Sequence, residues 1–139
     1  MRALRDRRPR RLARQRRPGA AMAELAIILP IFITFAFVPL EVCTMIFVEQ
    51  SLNVATYEGA RTATKKLGTV NETIVRCTEV LEERGIQGGS VSIIPSSFDS
   101  LEDGDDVIVT ITAPYLPNSS VGMWFLDKQI SSSTHMIRE

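Results

Sequence analysis

The chain has 139 residues, which is enough for one small domain and excludes a multidomain protein. Its 16 basic and 16 acidic side chains cancel overall, but they are unevenly placed. Residues 1–19 hold nine arginines and one aspartate, a net charge of +8, so residues 20–139 keep seven basic and fifteen acidic side chains, a net charge of −8. So sharp a change of sign indicates two segments with different roles.

The basic segment, residues 1–19, has two possible partners. Arginines can bind nucleic acid through its phosphates, but this run has no interleaved aromatic side chains and lies directly before an apolar run. Positively charged flanks of membrane helices stay in the cytoplasm. The sequence therefore predicts a cytoplasmic leader and no nucleic-acid partner.

Small residues lie before the apolar run, at Gly19-Ala20-Ala21, and no small-x-small cleavage site follows it. A cut after Gly19 would leave Ala20 as the first residue, with Glu24 at the mouth of the apolar run. An unpaired carboxylate in lipid is costly, and the freed amine of Ala20 would lie within about one helical turn of Glu24. Two roles stay open for Glu24: pairing with this amine, on the same chain or a neighbour, or an interfacial charge that faces headgroups and water.

The apolar run extends from Leu25 to Val48 and contains one charged residue, Glu41. A helix of that length would extend ~36 Å and cross a hydrocarbon layer of ~30 Å with some tilt. A chain this short could hardly surround a helix that is apolar on every face, so the run predicts a transmembrane helix over residues 20–48. Glu41 is expected to be partly solvated or partnered. Pro30 and Pro39 are consistent with either a kinked anchor or local melting in a filament.

The helix is expected to continue beyond the membrane, with Gly68 ending it. Small and apolar residues recur at spacings of three and four, and they are expected to pack on the chain's own head rather than on another subunit. These residues are Leu52, Ala55, Gly59, Ala60, Ala63 and Leu67. A second helix is predicted with Asn71 as its cap and Gly85 at its end. Its predicted inward residues are Ile74, Cys77 or Thr78, and Leu81.

The rest of the chain predicts three strands, Ser90–Ile94, Val107–Ala113 and Gln129–Ile137, of which the second alternates apolar and polar residues. The acidic stretch between the first two lacks the calcium-loop pattern and predicts a solvated hairpin loop. The predicted fold class is α+β: a long N-terminal transmembrane helix continues into a small head with a short helix and a roughly three-stranded antiparallel sheet. The predicted segments are 1–19 (leader), 20–48 (transmembrane helix) and 49–139 (extracytoplasmic head).

No enzyme is predicted. The single histidine, His135, lies in a serine-rich strand, and neither Cys43 nor Cys77 has the spacing of metal ligands. Their placement also makes an intrachain disulfide improbable. No glycine-rich phosphate loop is present. We therefore expect no catalytic residue, no metal and no cofactor.

The N-terminal pattern resembles the processing site of type IV pilin-like precursors, in which a prepilin peptidase cuts after a glycine and a glutamate follows five residues later. Gly19 and Glu24 occupy those positions. More narrowly, the chain resembles the TadE-like group of the tight-adherence (Tad, or Flp) pilus systems over residues 16–66 and the last few residues. The motif residues that match in order are Leu29-Pro30, Glu41, Tyr57-Glu58-Gly59-Ala60-Arg61 and Met136-Ile137-Arg138-Glu139.

This resemblance implies a minor pilin or pseudopilin, cut between Gly19 and Ala20 and required for assembly of a Tad/Flp pilus used in surface adhesion. The implied partners are a prepilin peptidase, other Tad/Flp pilins, the inner-membrane assembly platform and the lipid bilayer. The implied location is the bacterial cytoplasmic membrane, crossed once with the N-terminus inside, or the pilus itself. A permanently anchored component of an envelope or secretion apparatus is the alternative. Gly19 and Glu24 favour the first, because a stable anchor needs neither.

Overall fold

The structure, a computed structural model, describes residues 18–66, 68–98, 104–120 and 128–138. Most of the predicted leader, the centre of the acidic loop, Leu67, Trp124-Phe125-Leu126 and Glu139 lie outside these residues. The elements are α1 (Pro18–Ala63), α2 (Val70–Glu83), β1 (Ser90–Ile94), β2 (Asp106–Pro114), a short 3-10 helix (Leu116–Asn118) and β3 (Gln129–Ile137). They confirm the predicted α+β fold, with β1 and β3 at the predicted bounds and β2 longer by one residue at each end.

Helix α1 has 46 residues, and internal contacts divide the chain into two compact units between Phe35 and Ala36. In the described part of the first unit the apolar side chains are exposed; Phe32 is 70% and Phe35 76% exposed. Pro30 lies within the helix, and the Thr34 hydroxyl donates to its carbonyl at 2.9 Å. By length and composition, the helix from Gly19 to Ala63 could cross a membrane.

The second unit begins at Ala36 and contains the head. From Val48 onwards α1 buries a stripe of small and apolar residues in the core of this unit. Leu52, Ala55, Ala60 and Ala63 have no exposed surface, which confirms that the stripe packs on the chain's own head. Two details differ from the prediction: α1 ends at Ala63 rather than at Gly68, and the Gly68 N–H closes a following turn by donating to the Lys65 carbonyl at 2.8 Å.

Helix α2 begins earlier than the sequence predicted, because Thr69 rather than Asn71 caps it. The Thr69 hydroxyl accepts from the Glu72 N–H at 3.2 Å, and the Glu72 carboxylate accepts from the Thr69 N–H at 3.3 Å. This capping box satisfies two N–H groups that a helix start leaves unpaired, which Asn71 inside the first turn could not do. The buried residues are Thr73, Cys77, Val80 and Leu81.

The inward face of α2 therefore differs from the predicted one at Ile74, which is 39% exposed. Of the two alternatives Cys77 and Thr78, the structure buries Cys77 and exposes Thr78. Cys77 and Leu81 are inward as predicted. Gly85 ends the helix with a φ of 69°, a left-handed conformation that suits glycine, and its N–H donates to the Glu82 carbonyl at 2.9 Å.

The three strands form one antiparallel sheet in the order β1-β2-β3. Strand β2 is central, and its inward residues Val107, Val109, Ile111 and Ala113 have no exposed surface, as the alternation predicted. Together with the stripe on α1 and the inward face of α2, these residues form the core of the head.

Candidate assembly site

The predicted processing site lies at the start of α1. Gly19, Ala20 and Glu24 are all helical and exposed. A Cβ at Gly19 would meet nothing within 4 Å, so the fold itself does not require glycine there. The first N–H groups of a helix have no partner within it, and this first turn can open into an extended form at low cost. Among the described residues no ion pair involves Glu24, and the free amine that would pair with it exists only after cleavage.

Glu41 is the one acidic residue of the apolar run, and the head covers it. It is 1% exposed, and the Ser119 hydroxyl donates to its Oε1 at 2.6 Å. The Tyr115 hydroxyl donates to the Glu41 backbone carbonyl at 3.1 Å. One turn further, the hydroxyls of Thr44 and Ser120 are 2.9 Å apart. We call residues Tyr115–Ser120 the collar, because they hold α1 at the level of Glu41. Of the two states expected for Glu41, partly solvated or partnered, the structure shows the second.

The collar stabilises the buried side chain of Glu41. A carboxylate removed from water is costly unless it is hydrogen-bonded, and the collar both covers Glu41 and donates a hydrogen bond to it. Burial and the nearby Glu41 carboxylate raise the pKa of the Tyr115 phenol, so this hydroxyl stays a donor throughout the neutral pH range. Asn118 fixes the collar to the head: its side chain accepts from the Gln87 N–H at 2.7 Å and donates to the Pro114 carbonyl at 2.8 Å.

The motif Glu58-Gly59-Ala60-Arg61 marks the place where α2 packs against α1. Ala60 is buried, and a Cβ at Gly59 would overlap the Cys77 sulfur, so only glycine allows this approach. Glu58 lies 3.8 Å from Arg76 of α2, a partly exposed ion pair that contributes little to stability. Arg61 is exposed. Within the head, the motif therefore packs two helices together and leaves one exposed cation.

Both cysteines are free thiols, in agreement with the sequence argument against a disulfide. Cys43 is exposed, whereas burial raises the pKa of Cys77 to about 11. A thiol with so high a pKa is unreactive at neutral pH, because the thiolate is the nucleophile. His135 is exposed on β3 opposite Ile108. In the parts of the chain that the structure describes, no group of three or more His, Cys, Asp or Glu could hold a metal ion.

Sequence reasoning missed the collar, which lies between the second and third predicted strands. Its polar residues have no periodic pattern, and Ser119 is 78 positions from Glu41 in the chain. The only available signal was an unexplained acid in an apolar run, which implies that some partner exists without identifying it.

Comparison with known proteins identifies the N-terminal part of the chain. The family model for TadE-like protein matches residues 19–61. No curated protein and no solved structure matches the chain. The matched segment begins at the predicted cleavage site, contains Glu24, Pro30 and Glu41, and ends at Arg61 of the helix-packing motif. This similarity relates residues 19–61 to proteins of the Tad pilus, and the apolar helix in this segment fits a membrane anchor. Residues 19–61 of this chain are thus similar to TadE-like protein.

Proposed function

We propose that the chain is a minor pilin or pseudopilin required for assembly of a Tad/Flp-type pilus that serves in surface adhesion. In this proposal a prepilin peptidase cuts between Gly19 and Ala20. The mature subunit works with other Tad/Flp pilins and the inner-membrane assembly platform. Before assembly it crosses the cytoplasmic membrane once, with the arginine leader inside and the head outside.

The observation that carries the proposal is the exposed apolar stretch of α1 that begins directly after Gly19. Among the described residues of the first unit, its side chains have no protein partner; Phe32 and Phe35, for example, are each at least 70% exposed. A surface of this kind is stable only in lipid or against other helices. A subunit that is first anchored and later packed into a filament core would use the same surface for both.

The processing step is tested by the N-terminus of the mature protein. Mass spectrometry of the protein from its own cells should show a chain that begins at Ala20. Gly19→Leu should leave the leader attached, because it places bulk at the bond to be cut. Ala23→Leu adds the same bulk about one turn away and should still be cut.

An intact Met1–Gly19 segment on the mature wild-type protein would contradict the proposal. It would favour the alternative, a permanently anchored structural component of an envelope or secretion apparatus. Cleavage of the leader and formation of pili are measured separately. Normal pili in a strain that lacks this protein would contradict the assembly role, even if the wild-type chain is cut after Gly19.

A further inference from the structure

Strand β3 is an edge of the sheet, and one of its sides has no strand partner among the described residues. Its register with β2 is regular from Gln129↔Pro114 to Ile137↔Asp106. Just beyond the two ends, the Lys128 carbonyl accepts from the Tyr115 N–H at 2.8 Å and the Arg138 N–H donates to the Asp105 carbonyl at 2.9 Å. Lys128 and Arg138 are therefore both hydrogen-bonded to the β2 side. Because hydrogen-bonded and non-hydrogen-bonded pairs alternate along an antiparallel ladder, the even-numbered residues between them also bond to β2.

The odd-numbered residues of β3 therefore direct their N–H and C=O groups away from the sheet. Their side chains are all exposed. We call these five residues the β3 edge: Gln129, Ser131, Ser133, His135 and Ile137. Unpaired backbone groups in a row are a template for another strand.

The two edges of the sheet are protected differently. Natural edge strands avoid unwanted pairing by being short, or by carrying lysine or proline. Strand β1 has five residues and is followed at once by Pro95. Since the odd-numbered residues of β2 bond to β3, only Val91 and Ile93 of β1 point their backbone groups outward. Strand β3 has nine residues and contains no Lys, Arg, Asp, Glu or Pro. As far as residues 18–66, 68–98, 104–120 and 128–138 show, the β3 edge is thus the open one.

A groove runs between β3 and α1 beside this edge. It is lined by Tyr57, Arg61, Thr64, Lys65, Met136 and Ile137. Tyr57 is 52% exposed, and among the described residues neither Arg61 nor Lys65 forms an ion pair. A strand added ~4.8 Å beyond β3 would place its inward side chains over this groove. An apolar side chain would then cover Tyr57, and an acidic one would lie beside the two cations.

A second copy of this chain does not fit the β3 edge. Helix α1 and β3 run in the same direction, because three hydrogen bonds join them in order: Ser132 to Asn53 (2.6 Å), Thr134 to Thr56 (3.0 Å) and Arg138 to Lys66 (3.3 Å). Antiparallel pairing of two β3 strands needs a two-fold axis perpendicular to the sheet, which reverses α1. Two copies anchored in one membrane cannot meet in this way. The other edge of a second copy, β1, offers outward groups from two residues only.

We propose that the β3 edge is a docking site for a β-strand of a different exported subunit. The docked strand has an apolar side chain over Tyr57 and an acidic residue beside Arg61 and Lys65. Backbone hydrogen bonds to the β3 edge provide the affinity, and the groove provides the choice of partner. This inference rests on the proposed function, since it requires other exported subunits of the same assembly.

The test is photo-crosslinking of the full chain in its own cells, with benzoylphenylalanine in place of Ser131. A matched probe replaces Ser92 on β1; this residue belongs to the same cross-strand row as Thr110 and Ser133 but lies at the opposite edge. We expect the probe at 131, and not the probe at 92, to form an adduct with another exported subunit. Sequencing of the crosslinked peptide should give a strand-forming segment with an acidic residue.

Two substitutions at Ser133 then separate edge pairing from mere proximity. Ser133→Pro removes an outward N–H without a loss from the β2–β3 ladder, and Ser133→Lys adds the charge that protected edges carry. Each should lower the yield of the 131 adduct about tenfold, whereas Ser92→Lys should leave it within about twofold. Correct folding is checked in detergent by alkylation, because the buried Cys77 of a folded head stays unmodified.

Three results would overturn the inference: no adduct from position 131 in cells whose head is folded, an adduct with a second copy of this chain, or an adduct that both Ser133 variants leave unchanged. If one Ser133 variant exposes Cys77 to alkylation, its head is misfolded and its adduct yield is set aside. The inference is then judged on the adduct yield of the other Ser133 variant compared with that of the unsubstituted edge. The N-terminus of the protein is measured in the same strains. A chain that begins at Ala20 but gives no adduct overturns only the docking site, whereas an uncut chain contradicts the proposed function.

Discussion

Two stretches of α1 are both rich in apolar residues, yet they differ in burial. In the first, Phe32 and Phe35 are among many exposed large side chains; in the second, Leu52, Ala55 and Ala63 have no exposed surface. The first stretch carries bulky residues on all sides, whereas the second confines small ones to one stripe. A helix that is apolar all round needs an apolar surrounding from outside the chain, and a striped helix can be covered by its own head. Changes in the two stretches should therefore have separable consequences.

The largest effect is expected at Glu24, in the exposed stretch. Glu24→Ala should insert, be cut after Gly19 and accumulate in the membrane, but it should fail to enter pili or support their formation. The expected reason is that an unpaired charge in a low-dielectric filament core is costly, so that pairing of Glu24 with the Ala20 amine would select the correct register. Immunoblots of sheared surface and membrane fractions measure this outcome.

Glu49→Ala is the matched control for Glu24, since it removes another exposed carboxylate from α1 and should leave piliation unchanged. Normal recovery of the Glu24 variant in pili, with normal pilus numbers, would show that Glu24 is only an interfacial charge. The difference between the two stretches would then concern lipid contact alone.

In the packed stretch, Gly59→Ala should destabilise the head by about 1–3 kcal/mol. In an unhindered helix this change is favourable by about 0.5–1 kcal/mol, but here the new Cβ would overlap the Cys77 sulfur. Denaturant unfolding in detergent, followed by circular dichroism, measures the change. The control is the double variant Gly59→Ala/Cys77→Ala, which removes the overlapping sulfur. Its loss of unfolding free energy should be smaller than the sum of the losses in the two single variants. Simple addition of the two single effects would refute the packing argument.

Between the stretches lies Glu41, where the effect should be of similar size or smaller. Glu41→Ala leaves the Ser119 hydroxyl without its acceptor and weakens the collar, at a cost of about 1–3 kcal/mol. Glu49→Ala, at an exposed position on the same helix, should stay within about 0.5 kcal/mol of wild type. Equal unfolding midpoints for the two variants would show that the collar does not stabilise the head.

The smallest effect concerns α2, which packs on the second stretch only. Thr69→Ala should destabilise the head by about 1 kcal/mol because it removes the acceptor for the Glu72 N–H. Asn71→Ala should cost less, since Asn71 lies inside the first turn and is exposed. The reverse order in unfolding experiments would restore Asn71 as the cap that the sequence alone favoured.

Local patterns in the sequence determined the order and class of the elements. A charge-poor apolar run predicts a spanning helix, and alternation over Val107–Ala113 predicts a half-buried strand. Both patterns are local, because the angle between successive side chains is about 100° in a helix and about 180° in a strand. The predicted bounds of β1 and β3 are confirmed. The inward face of α2 was wrong at Ile74, because Thr73, one position earlier, is the residue that the core covers, and hydrophobicity alone does not distinguish these two neighbouring stripes.

Tertiary structure alone decided which distant residues meet. Ser119 reaches Glu41 across 78 positions of the chain, and Gly59 meets Cys77 where two helices pack. No periodic pattern in the sequence predicts such pairs. They depend on where the chain lies after the end of β2 and on the distance between α2 and α1. The open β3 edge belongs to the same class: the sequence of β3 shows that it carries no protecting charge, but only the strand order β1-β2-β3 shows that it lies at an edge, where that lack leaves it free to pair.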